Sequence, residues 1–416
     1  MLKLNKEFKV RLEVFKNDKR AYFSFLVLAF LFLATLPAEL ICNVRPLIIV
    51  VEGKPYFPIP FTYSEKDFGG TLPSEPDYKS ARFLNILKGV APSIEAETKN
   101  SFGLQLDDFE EEEDVVEEPA FSIGLDDFED SGEAITPTNA PKISPRDHWI
   151  LWPPVVYDYE YIPTDSKTGN VVLAAPYRTR TPNGESIIES SWEEGHYLGT
   201  DDRGRDVFAR LLYGFRISMI FGASLAITGT LIGCLIGGTQ GFFGGAIDLV
   251  GQRLTEVWGS IPRLYILIIL SSFLVPSAIL LFLILNLTAW MGIAAYIRAE
   301  FLKVRNYEFV KAAKGLGVSN FTIMRRHILP NALTPVVTFF PFEVTAGILA
   351  LVSLDYLNLG VPSPAPSIGE LLAQGKNNLQ ALWILLPTFA ALTLTITLLT
   401  FIGEGIRNAF DPRKTL

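Results

Sequence analysis

The chain has 416 residues, of which 49% are hydrophobic, with a mean hydropathy of +0.28 and a formal net charge of -9. The apolar residues form long runs while the negative charge lies elsewhere, which excludes a single soluble domain and indicates a membrane protein with a polar appendage. Cys42 ends one apolar run and Cys234 lies inside another, so no disulfide between them is expected.

The N-terminal tail, residues 1–20, is rich in lysine and arginine and precedes an apolar run over 21–41. At about 1.5 Å per residue this run can cross a hydrocarbon core about 30 Å thick, and its basic flank places the N-terminus in the cytoplasm. A secretory signal peptide has the same order of basic and apolar residues, but this run is long for one and no small-residue cleavage site follows. We therefore predict an uncleaved first transmembrane helix.

Residues 42–198 are predicted to lie in the periplasm. Their first part combines β-branched and aromatic residues with proline and glycine, which predicts short strands and turns. Aromatic residues recur towards the end of the region, at Trp149, Trp152, Tyr157, Tyr159 and Tyr161. Two interpretations of these rings stay open: a position at the membrane–water boundary, or a compact packed loop.

An acidic insertion occupies about residues 88–146, and the sequence LDDFE occurs in it at 106–110 and again at 125–129. Carboxylates at this density repel one another, and few apolar residues remain to offset the ordering entropy, so we predict disorder. Neither repeat has the ligand spacing of an EF-hand. Diffuse cation binding and a docking motif anchored on Phe109 and Phe128 are the alternatives.

The segment 199–206 reads GTDDRGRD and precedes the remaining apolar runs. Gly199 and Gly204 suit turns, Asp206 suits a helix N-cap, and no histidine or cysteine stands at ligand spacing, so a metal site is not expected. The segment resembles the GTDxxGRD sequence that precedes the permease core in the dipeptide and oligopeptide branch of ABC-transporter permeases. The residues that match are Gly199, Thr200, Asp201, Gly204, Arg205 and Asp206.

Residues 199–416 are predicted to form the core, with five further transmembrane helices. These are expected at about 217–238, 255–275, 277–297, 334–354 and 382–402. Six spans in total return the C-terminus to the cytoplasm, and the basic residues near that terminus agree with this orientation.

The loop 307–330 lies between two apolar runs but carries basic residues, so it cannot lie in hydrocarbon and is predicted to be cytoplasmic. Glycines at 315 and 317 predict the end of a first helix and a turn, and Ser319 suits the N-cap of a second. Pro330 and Pro335 are predicted to end that second helix.

Small side chains in this loop are expected to leave a surface that another protein can approach closely. The loop resembles the EAA loop of ABC-transporter permeases, which in that family fits into a groove of the ATPase subunit. One position departs from the family, because Lys311 stands where the motif begins with glutamate. The resemblance implies that the ATPase-coupling residues are Lys311, Ala312, Ala313, Gly317, Leu329 and Pro330.

Polar residues within or beside the spans are candidates for the translocation path. Asp248, Gln252 and Glu256 recur every four residues and so share one helix face. Glu343 lies half-way along the fifth span, where a charge facing lipid costs about 3 kcal/mol. Interhelical packing and hydrogen bonding is the alternative role for all four residues.

Sequences at both ends of the chain, including WGSIPRLYILIILSS, GELLAQGKNNLQ and FIGEGIRNAFDP, resemble the Yej-type branch, whose members move oligopeptides and the peptide–nucleotide antibiotic microcin C. The resemblance leaves out the acidic insertion. It implies an all-α permease of the bacterial inner membrane, with six transmembrane helices, a cytoplasmic coupling helix and both termini in the cytoplasm. Its implied function is to carry oligopeptides or peptide-like compounds in an ATP-driven importer.

The chain has no GxxxxGK[ST] phosphate loop, so ATP and Mg are expected to bind to partner subunits, and this chain is not expected to be an enzyme. The resemblance implies a homologous second permease, two ATP-binding domains and a periplasmic solute-binding protein as partners. Nucleic-acid binding is not expected.

Two other functions are alternatives to the importer. A membrane-anchored adaptor would recruit proteins through the acidic insertion, and a proton-coupled carrier would use Glu343 without any ATPase. The loop 307–330 favours the importer, because neither alternative needs a docking surface below the membrane.

Overall fold

The computed structural model describes most of the chain outside the acidic insertion. The described residues are 6–89, 147–163, 171–180, 187–274 and 277–411. Apart from Lys88 and Gly89, the predicted disordered insertion lies outside the described residues, and its disorder stays a prediction. The chain divides into two compact units, one formed by Met1–Asn43 with Pro154–Leu416 and the other by Val44–Pro153.

The larger unit is mostly helical and includes one short pair of strands, and the smaller unit contains a short helix and a three-stranded sheet. The helices among the described residues are α1 (Lys6–Asn17), α2 (Lys19–Thr35), α3 (Ala38–Ile41), α4 (Ala81–Leu87), α5 (Val207–Phe243), α6 (Gly245–Gly259), α7 (Arg263–Phe273), α8 (Ala278–Val304), α9 (Glu308–Gly315), α10 (Asn320–Thr322), α11 (Leu329–Tyr356), α12 (Ile368–Asn377) and α13 (Leu382–Phe410). The strands described are β1 (Ile48–Val51), β2 (Lys54–Tyr56), β3 (His148–Leu151), β4 (Thr179–Arg180) and β5 (Ile187–Ile188).

Within the described residues, four helices are long and apolar enough to cross a membrane. They are α5, α8, α13 and the continuous helix Asn320–Tyr356, which contains α10 and α11. They correspond to the predicted second, fourth, fifth and sixth spans. The prediction of a helical membrane protein is therefore confirmed. Of the six predicted spans, four correspond to single helices that are long and apolar enough to cross a membrane.

The predicted first and third spans are not single long helices. α2 ends at Thr35, and Pro37 separates it from α3. The prediction of one helix over 255–275 is wrong, because α6 ends at Gly259 and Pro262 precedes α7. Proline has no backbone N–H and its ring clashes with the preceding turn, so it interrupts both runs.

A row of glycines on α5 faces α8 and lets these two helices approach closely. The glycines recur every four residues and share one helix face, at Gly229, Gly233, Gly237 and Gly241. A Cβ on Gly229 would lie 3.2 Å from the Cβ of Ala289, and one on Gly241 would meet Arg298, so the two helices run parallel. α6 and α7 therefore return the chain to the end at which α5 begins.

In the smaller unit, β1 pairs antiparallel with β2 and with β3, which gives the strand order β2-β1-β3. The short strands predicted in this part of the chain are confirmed. The core of the unit is aromatic, since the rings of Phe68, Tyr78 and Phe83 meet edge to face with centroids 5.2 to 6.4 Å apart. Trp152 packs against this core, whereas Trp149 is 54% exposed.

We predict that Gly237→Leu destabilises the helix bundle by at least about 2 kcal/mol, because its Cβ would overlap the backbone carbonyl of Ala294 in α8. Thermal unfolding of the purified chain in detergent measures the effect. Gly315→Leu is the matched control, since no atom lies within 4 Å of a Cβ placed there. Equal melting temperatures for the two variants would contradict the close approach of α5 and α8.

Candidate functional site

Residues 307–330, between α8 and α11, form the candidate site and are called the coupling segment. Its first helix, α9, ends at Gly315, and Gly317 has a positive φ of 76°, a conformation that favours glycine. The Ser319 hydroxyl then accepts from the backbone N–H of Thr322 and caps α10. The predicted helix, turn and second helix start are confirmed.

The predicted end of the second helix at Pro330 and Pro335 is wrong. From α10 the chain enters a π-helical turn, Ile323–Ile328, and continues directly into α11. In this turn the Leu329 amide donates to the carbonyl of Met324, five residues earlier. The wider turn makes room for the ring of Pro330, which cannot donate a backbone hydrogen bond. The coupling segment is therefore continuous with a membrane-spanning helix.

One face of the coupling segment is packed onto the end of α8. Val310, Ala313, Ile323 and Ile328 are at most 8% exposed and belong to one apolar cluster with Phe301 of α8. The expectation that Ala313 contributes to an exposed small-residue surface is therefore wrong. A large or charged side chain at this position would disturb the attachment of the segment to α8.

The opposite face is exposed and contains most of the other predicted coupling residues. Lys311, Ala312, Gly317 and Pro330 are exposed, and Leu329 is half-buried against the apolar cluster. Lys311 Nζ lies 3.0 Å from Glu308 Oε1 one turn earlier. The structure thus places four of the six predicted coupling residues on a surface that a partner can reach.

Two large apolar side chains on this exposed face are absent from the predicted set. Leu316 is 83% exposed and Phe321 is 70% exposed, next to the exposed cations Lys314, Arg325 and Arg326. Exposed apolar groups beside cations are typical of protein contact surfaces. A leucine between two glycines, followed by a phenylalanine just after a helix cap, was the sequence signal for them.

The segment 199–206 forms a buried ion network at the other end of α5. Asp201 Oδ1 accepts from the backbone N–H of Arg203 and of Arg205, both at 2.9 Å, and Asp201 Oδ2 lies 2.7 Å from the Arg205 guanidinium. Glu370 of α12 completes the network, since it lies 3.2 Å from Arg205 and 2.5 Å from Arg210. Asp201, Arg205 and Arg210 are at most 2% exposed.

The charge of Arg205 is maintained by its partners. Burial lowers the pKa of this guanidinium, but hydrogen bonds and charges from Asp201 and Glu370 outweigh burial and raise it above the usual value. When one member of a buried ion pair is removed, the other is left as an uncompensated charge, which strongly destabilises the fold. The network therefore fixes α12 against the start of α5.

Asp206 performs the predicted cap, since its Oδ1 accepts from the Ala209 N–H at 2.7 Å. Its other oxygen lies 2.8 Å from Nδ1 of buried His196, whose ring stacks on Tyr157 with centroids 3.9 Å apart. The Tyr157 hydroxyl donates to the carbonyl of Glu194 at 2.7 Å. For Tyr157 the packed-loop interpretation is therefore correct.

Three of the four predicted path residues lie on successive turns of α6, as predicted, and the fourth lies on α11. Asp248 on α6 pairs with Arg298 of α8 through both of its carboxylate oxygens, whereas Glu256 lies 2.6 Å from Arg253 of its own helix. Gln252 is half-buried. Glu343 lies on α11, and its carboxylate is 4.0 Å from where a Cβ on Gly292 of α8 would stand.

A comparison with known proteins finds a match to the family described as binding-protein-dependent transport system inner membrane component, over residues 229–416. The chain is also 37% identical over 415 residues to the peptidoglycan transport system permease protein YejE of Agrobacterium fabrum, which covers 98% of this chain and 93% of the relative. Identity to the inner membrane ABC transporter permease protein YejE of Escherichia coli is 35% over 402 residues, 97% of this chain and 96% of the relative.

A shorter match is found to the oligopeptide transport system permease protein OppC of Escherichia coli. It is 37% identical over 222 residues, which covers 53% of this chain and 74% of the relative.

We predict that Asp201→Asn destabilises the chain by about 3–5 kcal/mol, because it leaves two buried guanidinium groups with Glu370 as their remaining carboxylate. Thermal unfolding in detergent measures the change. The matched control is Glu193→Gln, which removes an exposed pair with Arg178 worth about 0–1 kcal/mol. If the two variants unfold at the same temperature, the buried network does not stabilise the fold.

Proposed function

Because this chain belongs to the family of ABC-transporter inner-membrane permeases, among the Yej-type peptide permeases, we propose that it is a transmembrane subunit of an ATP-driven importer. The observation that carries the proposal is the match along nearly the whole length of two YejE permeases. The names of the relatives specify peptidoglycan and oligopeptide transport, and both kinds of substrate contain short peptides. We accordingly propose oligopeptides and peptide-like compounds as the substrate class. Compounds similar to microcin C are included on the resemblance of the sequence to the Yej-type branch alone.

The proposed topology has six crossings and places both termini in the cytoplasm. Since α5 and α8 run parallel, the chain must return between them, and α6 with α7 provides the third crossing as two helices. α2 and α3 together provide the first, from the basic N-terminal tail outwards. The coupling segment and the C-terminal end of α13 then lie on the cytoplasmic side.

The proposed partners are a second permease, two ATP-binding domains that hold ATP and Mg, and a periplasmic solute-binding protein. The exposed apolar and basic face of the coupling segment supports contact with an ATP-binding subunit. The exposure of α6 supports contact with a second permease. None of the side chains of this helix is buried, and Leu249, Leu254 and Val257 are 65–68% exposed. The membrane-anchored adaptor and the proton carrier have no comparable support.

The proposed coupling uses the continuity of the helices. Closure of the ATP-binding subunits would displace the coupling segment, which moves α8 through the packed face of α9 and moves α11 through the π-helical turn. Arg298 of α8 carries the displacement to α6 through Asp248. In addition, Arg305 donates to the carbonyl of Gly241 at the end of α5, at 3.2 Å.

We predict that Leu316→Asp reduces co-purification of the ATP-binding subunit by at least about tenfold, because the change places a charge at the centre of an apolar contact. Leu316 is 83% exposed, so the melting temperature of the chain itself should not change. Pull-down of the tagged chain from detergent-solubilised membranes, with quantitative mass spectrometry, measures the loss.

The matched control for this pull-down is Leu379→Asp, which changes a leucine that is 67% exposed beyond α12, at the opposite end of the helices. It should retain the ATP-binding subunit. Normal recovery of that subunit with Leu316→Asp would exclude this face as the docking surface.

We predict that Asp248→Arg and Arg298→Asp each reduce peptide uptake by about tenfold, and that the double variant recovers most of it, because the exchange restores the pair between α6 and α8. Uptake of a labelled peptide by cells with equal membrane levels of each variant is the measurement. Glu256→Arg, which breaks an exposed pair within α6, should leave uptake near the wild-type rate. The prediction is contradicted if the double variant recovers no uptake and Glu256→Arg lowers uptake as much as Asp248→Arg does. That result would instead assign the carboxylates of α6 to the translocation path.

A further inference from the structure

An apolar groove lies between α1, α2, α11 and α13, at the end of the bundle that holds the coupling segment. Its volume is about 670 Å³, within the range of about 300–1,000 Å³ that is typical of ligand sites. Leu28, Phe340 and Ile402 line its inner part, and Phe15 and Phe25 approach each other at its side with ring centroids 6.3 Å apart. The groove is long and apolar, which suits a hydrocarbon chain.

Two cations on α1, Arg11 and Lys16, lie at the edge of this groove. The Arg11 guanidinium lies over the ring of Phe410, with Cζ 4.5 Å from the ring centroid. A guanidinium has five N–H donors and can hold a phosphate by a bidentate contact. No carboxylate belongs to the lining formed by the described residues.

The position of the groove relative to the membrane indicates which kind of molecule can occupy it. On the short helix α1, Arg11 and Lys16 lie beside Leu12 and Phe15, and all four side chains line the groove. Apolar side chains flanked by cations are typical of a helix that lies at a membrane surface. In the proposed orientation, on which this inference rests, α1 lies at the cytoplasmic leaflet. An apolar groove open to hydrocarbon with cations at headgroup height fits an anionic phospholipid.

We propose that this groove binds one anionic phospholipid of the cytoplasmic leaflet. An acyl chain lies against Leu28, Phe340 and Ile402, and the phosphate is held by Arg11 and Lys16. The lipid fixes α1 against α11 and α13 beside the coupling segment. A neutral phospholipid provides the same acyl chain without net negative charge and binds more weakly.

The test measures binding of dioleoylphosphatidylglycerol and dioleoylphosphatidylcholine to the delipidated full chain in detergent, by native mass spectrometry. Wild type should bind phosphatidylglycerol more tightly. Arg11→Gln with Lys16→Gln should weaken phosphatidylglycerol binding by about 30-fold, about fivefold for each cation, and weaken phosphatidylcholine binding by a smaller factor, so that the preference for phosphatidylglycerol is lost. The matched control, Lys9→Gln with Lys19→Gln, removes the same charge from exposed positions outside the groove lining and should retain the preference.

A second variant tests the acyl site independently of charge. Val337→Trp replaces a groove residue that is 39% exposed with one that fills the space, and it should weaken binding of both lipids. Equal affinity for the two lipids, equal losses in the two double variants, or unchanged binding with Val337→Trp would each overturn the proposal.

The same measurement on the assembled transporter in nanodiscs distinguishes a lipid from a protein occupant. Cross-linking of a cysteine introduced at Val337 to a partner subunit, with loss of lipid binding on assembly, would show that the groove is a subunit interface and overturn the proposal. Because lipid binding is measured without ATP or peptide, its failure is separate from a failure of the importer assignment.

Discussion

The contact between α5 and α8 is the constraint on which the rest of the larger unit depends. Four glycines in one row let the two helix backbones approach as parallel neighbours, and packing at this distance needs no polar side chain. Two parallel helices require a return path, which α6 and α7 provide. The coupling segment follows α8 directly, so its position is set by the same contact.

A continuous series of contacts joins the coupling segment to the opposite end of the bundle. α11 begins in the π-helical turn of the segment and ends near Asp355, which accepts from the Ser367 hydroxyl at the start of α12. α12 carries Glu370, which pairs with Arg210 of α5. In the proposed coupling, a displacement of the coupling segment would reach the far end of the bundle through α11 and the buried ion network.

The sequence predicted features that depend on neighbouring residues. The caps at Asp206 and Ser319 and the turn at Gly317 follow from local backbone chemistry and were correct. Features that depend on distant residues were missed or wrong. Hydropathy did not reveal the division of the third span, the pairing of Asp248 with a residue 50 positions later required the fold, and the burial of Ala313 depends on the end of α8.

In the proposed assembly, the two faces of the coupling segment have separate functions for a physical reason. Ile323 and Ile328 are fully buried in the chain itself, so their contribution is already present as stability of the bundle. The apolar surface of Leu316 and Phe321 remains in water, and its burial becomes available only when a partner binds. We therefore expect a substitution on the exposed face to remove the proposed coupling while the helices stay folded, and a substitution at Ala313 to affect both coupling and folding.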